Sequence, residues 1–294
     1  MQYLAFDLGG TNTKYAFISN EGKVIDKQEV ETPKDYDSLI MFIYKTFNNL
    51  NKDSNFIGLS CPGIYDPKLN RITGSSALSY LIEKDIVGDL KRILPSVDIW
   101  IENDGNCALL GEVWRGHAQD VDDAAIIVVG SAIGGAALVN GKLLRGAFLN
   151  AGEFGYMMVD NDVGALSFHS FGGRGGINGL VNIVQKKGYT VQNGIEIFQQ
   201  IQNDVELCKF VESQLLYTAI GIINIQYVLD PSIIIIGGAI SENRKYIEML
   251  KQAIEKLMIL RPNYKVKPFI IQAKNYNDSN LLGIVYKYKQ AKSI

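Results

Sequence analysis

Two stretches of the chain repeat one plan. "YLAFDLGGTNTKYAFISNEGKVI" at 3–25 reads as strand, Gly-rich turn, strand, turn, strand. "AAIIVVGSAIGGAALVNGKLLRG" at 124–146 follows the same order with few letters in common, and its "NG" at 140–141 is a hairpin-turn signal. Helical patterns and further buried strands follow each copy. A chain built this way is expected to be an α/β protein with a duplicated fold: two domains and a central cleft, where small ligands tend to bind. Apolar, β-branched runs at 3–8, 14–19, 56–61, 97–102, 124–129, 135–139, 232–236 and 266–271 predict strands. Helical spacing predicts helices near 36–50, 85–94, 105–115, 206–229, 242–259 and 278–292.

Composition narrows the partners. The 294 residues carry a net charge of −2 and no long Lys/Arg block, so neither nucleic acid nor an anionic membrane is an expected partner. The apolar run "SIIIIGG" at 232–238 is strand-sized, and no run approaches membrane-spanning length. Cys61, Cys107 and Cys208 are widely spaced with no CxxC pair, which predicts reduced thiols. The N-terminus enters strand pattern with no basic and apolar leader, so a cytoplasmic location is expected.

The two Gly-rich loops are the first functional candidates. A hairpin turn needs glycine, but not an Asp before it and threonines after it. Two such loops facing one cleft could offer arrays of backbone N–H groups to phosphate. Neither matches GxxxxGK[ST], and neither leads from strand directly into helix, so the P-loop and the dinucleotide fingerprint both fail. Gly237 and Gly238, ending "SIIIIGG", would let a ring or ribose approach the backbone; alone they read equally as a strand-to-helix turn. In "WIENDGNCALLGEVW" at 100–114, Asp104 stands at a strand-to-helix junction. It is either a helix N-cap or a carboxylate placed to accept a proton from an attacking hydroxyl.

"FDLGGTNTKYAF", "GLSCPGIYD", "ENDGNCALLGE", "GSAIGGAALVNGKLLRG", "NAGEFGYM", "IIIIGGAIS" and the late "NDSNLLGIVY" occur in the order found in bacterial ROK sugar kinases, and the chain resembles that family over almost its whole length. The resemblance implies the actin-like, hexokinase-type ATPase fold. It implies a smaller domain of residues 1–116 plus a returning helix 279–294, and a larger one of 117–278 through which a homodimer would form. On the ATP side it implies phosphate contacts from Gly9, Gly10, Thr11, Asn12 and Lys14, and from Gly130, Ser131, Gly134 and Gly135. Gly237 and Gly238 fall beside the adenosine, and Asp7 helps hold hydrated Mg²⁺, a hard cation suited to oxygen ligands. On the sugar side it implies Gly63, Asn103, Asp104 as base, Glu153, Tyr156 and Asn178.

The departures from the family pattern concern the second loop and the sugar. Ser131 keeps the hydroxyl of the family's second loop, whereas Ala132 and Ala136 replace glycines. Many members bind structural zinc through a His and three Cys after the Glu. Here Tyr156 stands at the His position, no Cys lies between Cys107 and Cys208, and His117 and His169 are the only histidines, so no structural zinc is expected. Asn178 stands where a family Glu would be, and Tyr156 reads equally as a sugar contact or a core aromatic. These features are similar to the β-glucoside kinase branch. N-acetylmannosamine kinase is the alternative and glucokinase follows it, with "TGSSALSYLIEKD" at 73–85 lining the sugar mouth. The expected reaction is transfer of the ATP γ-phosphate to the 6-hydroxyl. A repressor is disfavoured because the first strand begins at residue 3, with no helix-turn-helix before it. A non-catalytic sugar sensor would be expected to lack Asp104 or the phosphate glycines.

Overall fold

A computed structural model describes residues 2–50, 54–160 and 170–293. They form two compact units: Met1–Gln119 with Gly146–Asn150 and Asp278–Ile294, and Asp120–Arg145 with Ala151–Asn277.

The first unit is built on β1 (Gln2–Leu8), β2 (Asn12–Ser19), β3 (Val24–Glu31), β4 (Phe56–Cys61) and β7 (Asp98–Asn103), in the order β3-β2-β1-β4-β7. The first three are antiparallel, whereas β1, β4 and β7 run parallel. A small ribbon, β5 (Ile64–Asp66) with β6 (Arg71–Thr73), follows β4. Strand periodicity sorts the core into two faces. Leu4, Phe6 and Leu8 pack with Leu39, Ile43 and Leu90, from α1 (Tyr36–Leu50) and α2 (Ile86–Ile93). Tyr3 and Ala5, alternating with them, pack with Cys107, Leu281, Leu282 and Val285, from α3 (Asp104–Arg115) and α9 (Ser279–Lys292). Asp7 continues the Tyr3–Ala5 set, so the same alternation that fills the core turns one carboxylate toward the α3–α9 face.

The second unit repeats the plan. Strands β8 (Ala124–Val129), β9 (Ile133–Val139), β10 (Lys142–Leu143), β11 (Ile233–Gly237) and β12 (Ile270–Gln272) lie in the order β10-β9-β8-β11-β12, antiparallel through β8 and parallel from β8 onward. Its helices are α4 (Phe171–Gly175), α5 (Ile177–Lys186), α6 (Gly194–Gln200), α7 (Val205–Leu229) and α8 (Arg244–Leu260). Asp204 caps α7 by accepting from Leu207 N at 2.8 Å. The helix ends at Asp230 in the left-handed region, φ 47°, just before Pro231.

Several elements depart from expectation. The run at 266–271 pairs only from Ile270, because Pro268 lacks a donor and Phe269 is exposed. Strands β2 and β9 begin two residues before the predicted 14 and 135, which shortens both Gly-rich loops. Helices α4, α5 and α6 lie outside the predicted set: "FGGRGGINGL" gives little apolar period across α4 and the start of α5, and α6 is only seven residues long. Among the described residues, no helix is long and apolar enough to cross a membrane.

Candidate functional site

Adjacent parallel strands deliver functional groups to their carboxyl ends, the side of an open α/β sheet where ligands bind. In the first unit, Asp7 is in register with Ser60, and Cys61 with Asn103. Asp104 therefore follows directly from the end of β7. Asn103 is the N-cap of α3: it has extended backbone and its Oδ1 accepts from Asn106 N at 3.0 Å. The capping explanation for Asp104 thus fails, because its neighbour does that work. Asp104 occupies the first helical position, and its Oδ1 accepts from Gly105 N at 2.8 Å and from Asn103 Nδ2 at 3.1 Å. Asn103 Nδ2 also donates to the carbonyl of Gly63 at 3.0 Å. Gly63 is required there: its φ is +104°, and a Cβ would come within 2.8 Å of Ile72.

Beneath this pair lies a buried charge network that sequence reasoning missed. Glu102 is 1% exposed and bonds Lys287 at 2.9 Å. Its Oε1 accepts from Asn103 N at 2.9 Å and from Asn106 Nδ2 at 3.1 Å. A buried carboxylate with this many donors fixes the turn that carries Asn103 and Asp104. The sequence signal was a Glu directly after the apolar run Ile99, Trp100 and Ile101.

Asp7 Oδ1 accepts from Ser60 Oγ at 3.0 Å and from Asn280 Nδ2 at 2.9 Å. Burial pushes its carboxyl above the ordinary range, against the opposing pull of Asn280, Lys14 and Ser60. Burial, followed by the charges of Asp104 and Asp7, raises the Cys61 thiol well above its usual value. Cys61 is therefore a neutral thiol at the floor of the site. Among the described residues, no group of three or more His, Cys, Asp or Glu side chains gathers to hold a metal. One half-buried carboxylate fits Mg²⁺, which keeps much of its water and takes further oxygens from phosphates, rather than a cation held in a protein cage.

The first Gly-rich loop is tied down by Thr32. Thr32 Oγ1 donates to Gly9 O at 2.7 Å, and Thr32 N donates to Thr11 O at 2.9 Å. Neither Gly9 nor Gly10 has a positive φ, so the turn does not need them for that reason. Gly9 is instead forced by close approach, since a Cβ would lie 2.6 Å from Asn12 O. Gly10 and Thr11 line a cavity of about 320 Å³ with residues 77–80, part of the stretch expected to border the sugar. Asn12 and Lys14 are strand residues: Asn12 Nδ2 donates to Glu29 at 2.7 Å, and Lys14 lies in register with Asp7.

The second unit gathers its candidates differently. Ser131, Glu153, Tyr156 and Asn178 line one cavity of about 640 Å³, together with Asn182, which was not anticipated. The loop leans on the start of α5, with Ile177 N donating to Gly130 O at 2.9 Å and Asn178 N to Ser131 O at 3.2 Å. Burial raises the Glu153 carboxyl, and among the described residues its side chain makes no hydrogen bond or ion pair. A half-buried carboxylate left without a partner beside a cavity is what a ligand with hydroxyl groups would complete. Tyr156 is 65% exposed, which removes the reading of it as a core aromatic. Gly134 and Gly135 belong to β9 rather than to the loop. Gly135 is demanded by packing, its Cβ position lying 2.7 Å from Ile126 O, whereas Gly134 faces open space. Gly238 has φ +84°, and a Cβ there would overlap Val129 O, holding the end of β11 against the end of β8. Gly237 shows only ordinary contacts.

The segment after Tyr156 is fastened by an ion pair between Arg174 and Asp160, both mostly buried, with the guanidinium 4.7 Å over the Tyr217 ring. His169, one of the two histidines weighed as metal ligands, lies outside the described residues.

Two units with the same strand order, each presenting a Gly-rich loop at the carboxyl ends of its parallel strands, have the actin-like, hexokinase-type ATPase fold. The chain belongs to the ROK family, whose family model matches residues 3–291. It is 32% identical over 304 residues to a beta-glucoside kinase of Listeria monocytogenes, covering 99% of this chain and 98% of the relative. It is 25% identical over 298 residues to the N-acetylmannosamine kinase of Vibrio cholerae, covering 99% and 100%. A crystal structure of a ROK family protein from Streptococcus pneumoniae in complex with sucrose superposes with TM-score 0.89 at 29% identity, covering 100% of this chain and 99% of that one.

Proposed function

We propose that this protein is an ATP-dependent sugar kinase that phosphorylates the 6-hydroxyl of a hexose or hexoside, with a β-glucoside as the substrate class. The observation that carries the reading is Asp104: a carboxylate at a strand end, released from capping by Asn103 and oriented by two N–H donors. In the proposed reaction the sugar O6 attacks the γ-phosphorus in line. The O6–P bond forms as the bond from the γ-phosphorus to the β,γ-bridging oxygen breaks, and ADP leaves with that electron pair. Asp104 receives the O6 proton. Phosphoryl transfer through a loose transition state calls mostly for positioning, so orientation of the hydroxyl is much of what Asp104 contributes.

The loop at Gly9–Thr11 and the loop at Gly130–Ser131 supply backbone donors to nucleotide phosphates. Asp7 would help hold Mg²⁺, which neutralises charge on those phosphates when bound. Glu153 accepts from sugar hydroxyls, with Asn178 and Tyr156 beside it in the same cavity. A homodimer and a cytoplasmic location complete the proposal. The β-glucoside assignment rests on the likeness to the Listeria kinase at 32% identity. The N-acetylmannosamine alternative rests on the likeness to the Vibrio kinase at 25%.

Coupled ADP release, measured with Mg²⁺ on glucose, N-acetylmannosamine, N-acetylglucosamine, cellobiose and gentiobiose, tests the substrate class. Selective turnover of the two disaccharides is expected. Selective turnover of N-acetylmannosamine would replace the β-glucoside reading.

Glu153→Gln is expected to raise the sugar KM about tenfold, the scale of one hydrogen bond to a charged group. Because burial raises the Glu153 carboxyl, this group takes up a proton earlier than an ordinary Glu as pH falls from neutrality. The wild-type sugar KM should therefore climb on mild acidification, and the Gln variant should flatten that rise. An unchanged KM with an unchanged pH profile would remove Glu153 from the sugar site.

A further inference from the structure

Asn280 has no counterpart among the residues assigned to the proposed function, yet it reaches Asp7. Its Nδ2 donates to Asp7 Oδ1 at 2.9 Å and to Ser60 Oγ at 3.3 Å, while Ser60 Oγ donates to the same Asp7 Oδ1 at 3.0 Å. An amide nitrogen carries two hydrogens, so both contacts can be made at once. The three side chains close a ring in which every donor converges on one carboxylate oxygen. Among the described residues, Oδ2 of Asp7 accepts no hydrogen bond. Asp7 is only half-buried, so the uncovered Oδ2 is reached by solvent rather than stranded in the core, and both donors hold the opposite oxygen.

The platform that carries Asn280 is fixed. A Cβ on Gly111 would overlap the carbonyl of Ser279, and one on Gly283 would overlap the carbonyl of Cys107, so α9 and α3 touch backbone to backbone. Ser279 Oγ donates to the buried Glu112 Oε1 at 3.0 Å, pinning the residue next to Asn280. Ser60 is fully buried on β4, in register with Asp7. Neither partner can follow Asp7 if it turns.

We infer that Asn280 and Ser60 are positioning residues for Asp7: they hold Oδ1 so that Oδ2 is the oxygen presented to the water shell of a divalent cation bound with nucleotide. The inference rests on the kinase reading above. Its consequence is that α9, the last helix of the chain, sets the orientation of a carboxylate on the first strand.

The test uses Mn²⁺ in place of Mg²⁺, titrated by electron paramagnetic resonance into the full-length protein with a non-hydrolysable ATP analogue. Asn280→Leu keeps the volume and removes the donor. Mn²⁺ affinity in the presence of the analogue is expected to fall about tenfold, as when partners behind a metal-binding group are removed. Calorimetric sugar affinity should stay at the wild-type value, and kcat should fall while the sugar KM holds. Ser60→Ala removes the other donor, should move Mn²⁺ affinity in the same direction, and carries the test if the Leu variant fails to fold. Wild-type Mn²⁺ affinity in a folded variant overturns the inference and leaves the kinase reading standing. Failure of the wild-type protein itself to bind Mn²⁺ with the analogue overturns both.

Discussion

Asp104→Asn is expected to lower kcat by about 10²–10⁴-fold, the span that a positioned acid or base contributes. The substitution is nearly isosteric, and Asn retains an oxygen to accept from Gly105 N, the bond that Asp104 Oδ1 makes at 2.8 Å. The helix start should survive, because Asn103 rather than Asp104 is its cap. Sugar affinity measured by calorimetry should weaken only modestly, since Asn still bonds hydroxyl groups while losing the ability to take the proton. Circular dichroism and the thermal midpoint should match wild type. A kcat near the wild-type value would sink the assignment of Asp104, and with it the mechanism.

Gly283→Ala is expected to destabilise the first unit by about 3 kcal/mol, the upper part of the range for overpacking a close-packed contact. The added methyl would overlap a backbone carbonyl, that of Cys107 in α3, which cannot swing aside as a flexible side chain can. The two helices must separate for it to fit, and Asn280 and Ser279 ride on the helix that moves. The loss should appear as a lower denaturation midpoint together with reduced kcat at temperatures where the protein is still folded. Gly134→Ala is the control, because its Cβ position meets nothing within 4 Å. A Gly283→Ala midpoint equal to that of the control would show that the helices are not in backbone contact.

Much of this architecture was legible because its signals are local. The repeated strand–loop–strand plan at 3–25 and 124–146 predicted a duplicated fold, and the two sheets share one strand order. Asp104 could be singled out because it stands where a strand pattern gives way to a helix pattern, whereas the roles of Asp7 and Asn103 came from the family resemblance. What escaped is what depends on distant partners. Nothing in "NDSNLLG" announces that Asn280 meets a residue 273 positions earlier, nor does "WIEN" reveal that Glu102 pairs with Lys287. A hairpin turn calls for glycine where φ is positive, yet the structure gives neither Gly9 nor Gly10 a positive φ; contact with Asn12 O explains Gly9. Gly134 and Gly135 were assigned to the second loop, but strand pairing with Val128 and Ile127 claims them. Tyr156 could not be decided from sequence, since burial of a lone aromatic depends on which face its short turn presents; it is mostly exposed.

The most direct test of phosphoryl transfer to a sugar is ³¹P–¹H correlation NMR on a reaction of the protein with ATP, Mg²⁺ and gentiobiose. The account predicts a new phosphomonoester coupled to the protons of a glucosyl C6, formed in equal amount to ADP. ADP accompanied only by inorganic phosphate, or a phosphoester on another carbon, would contradict it.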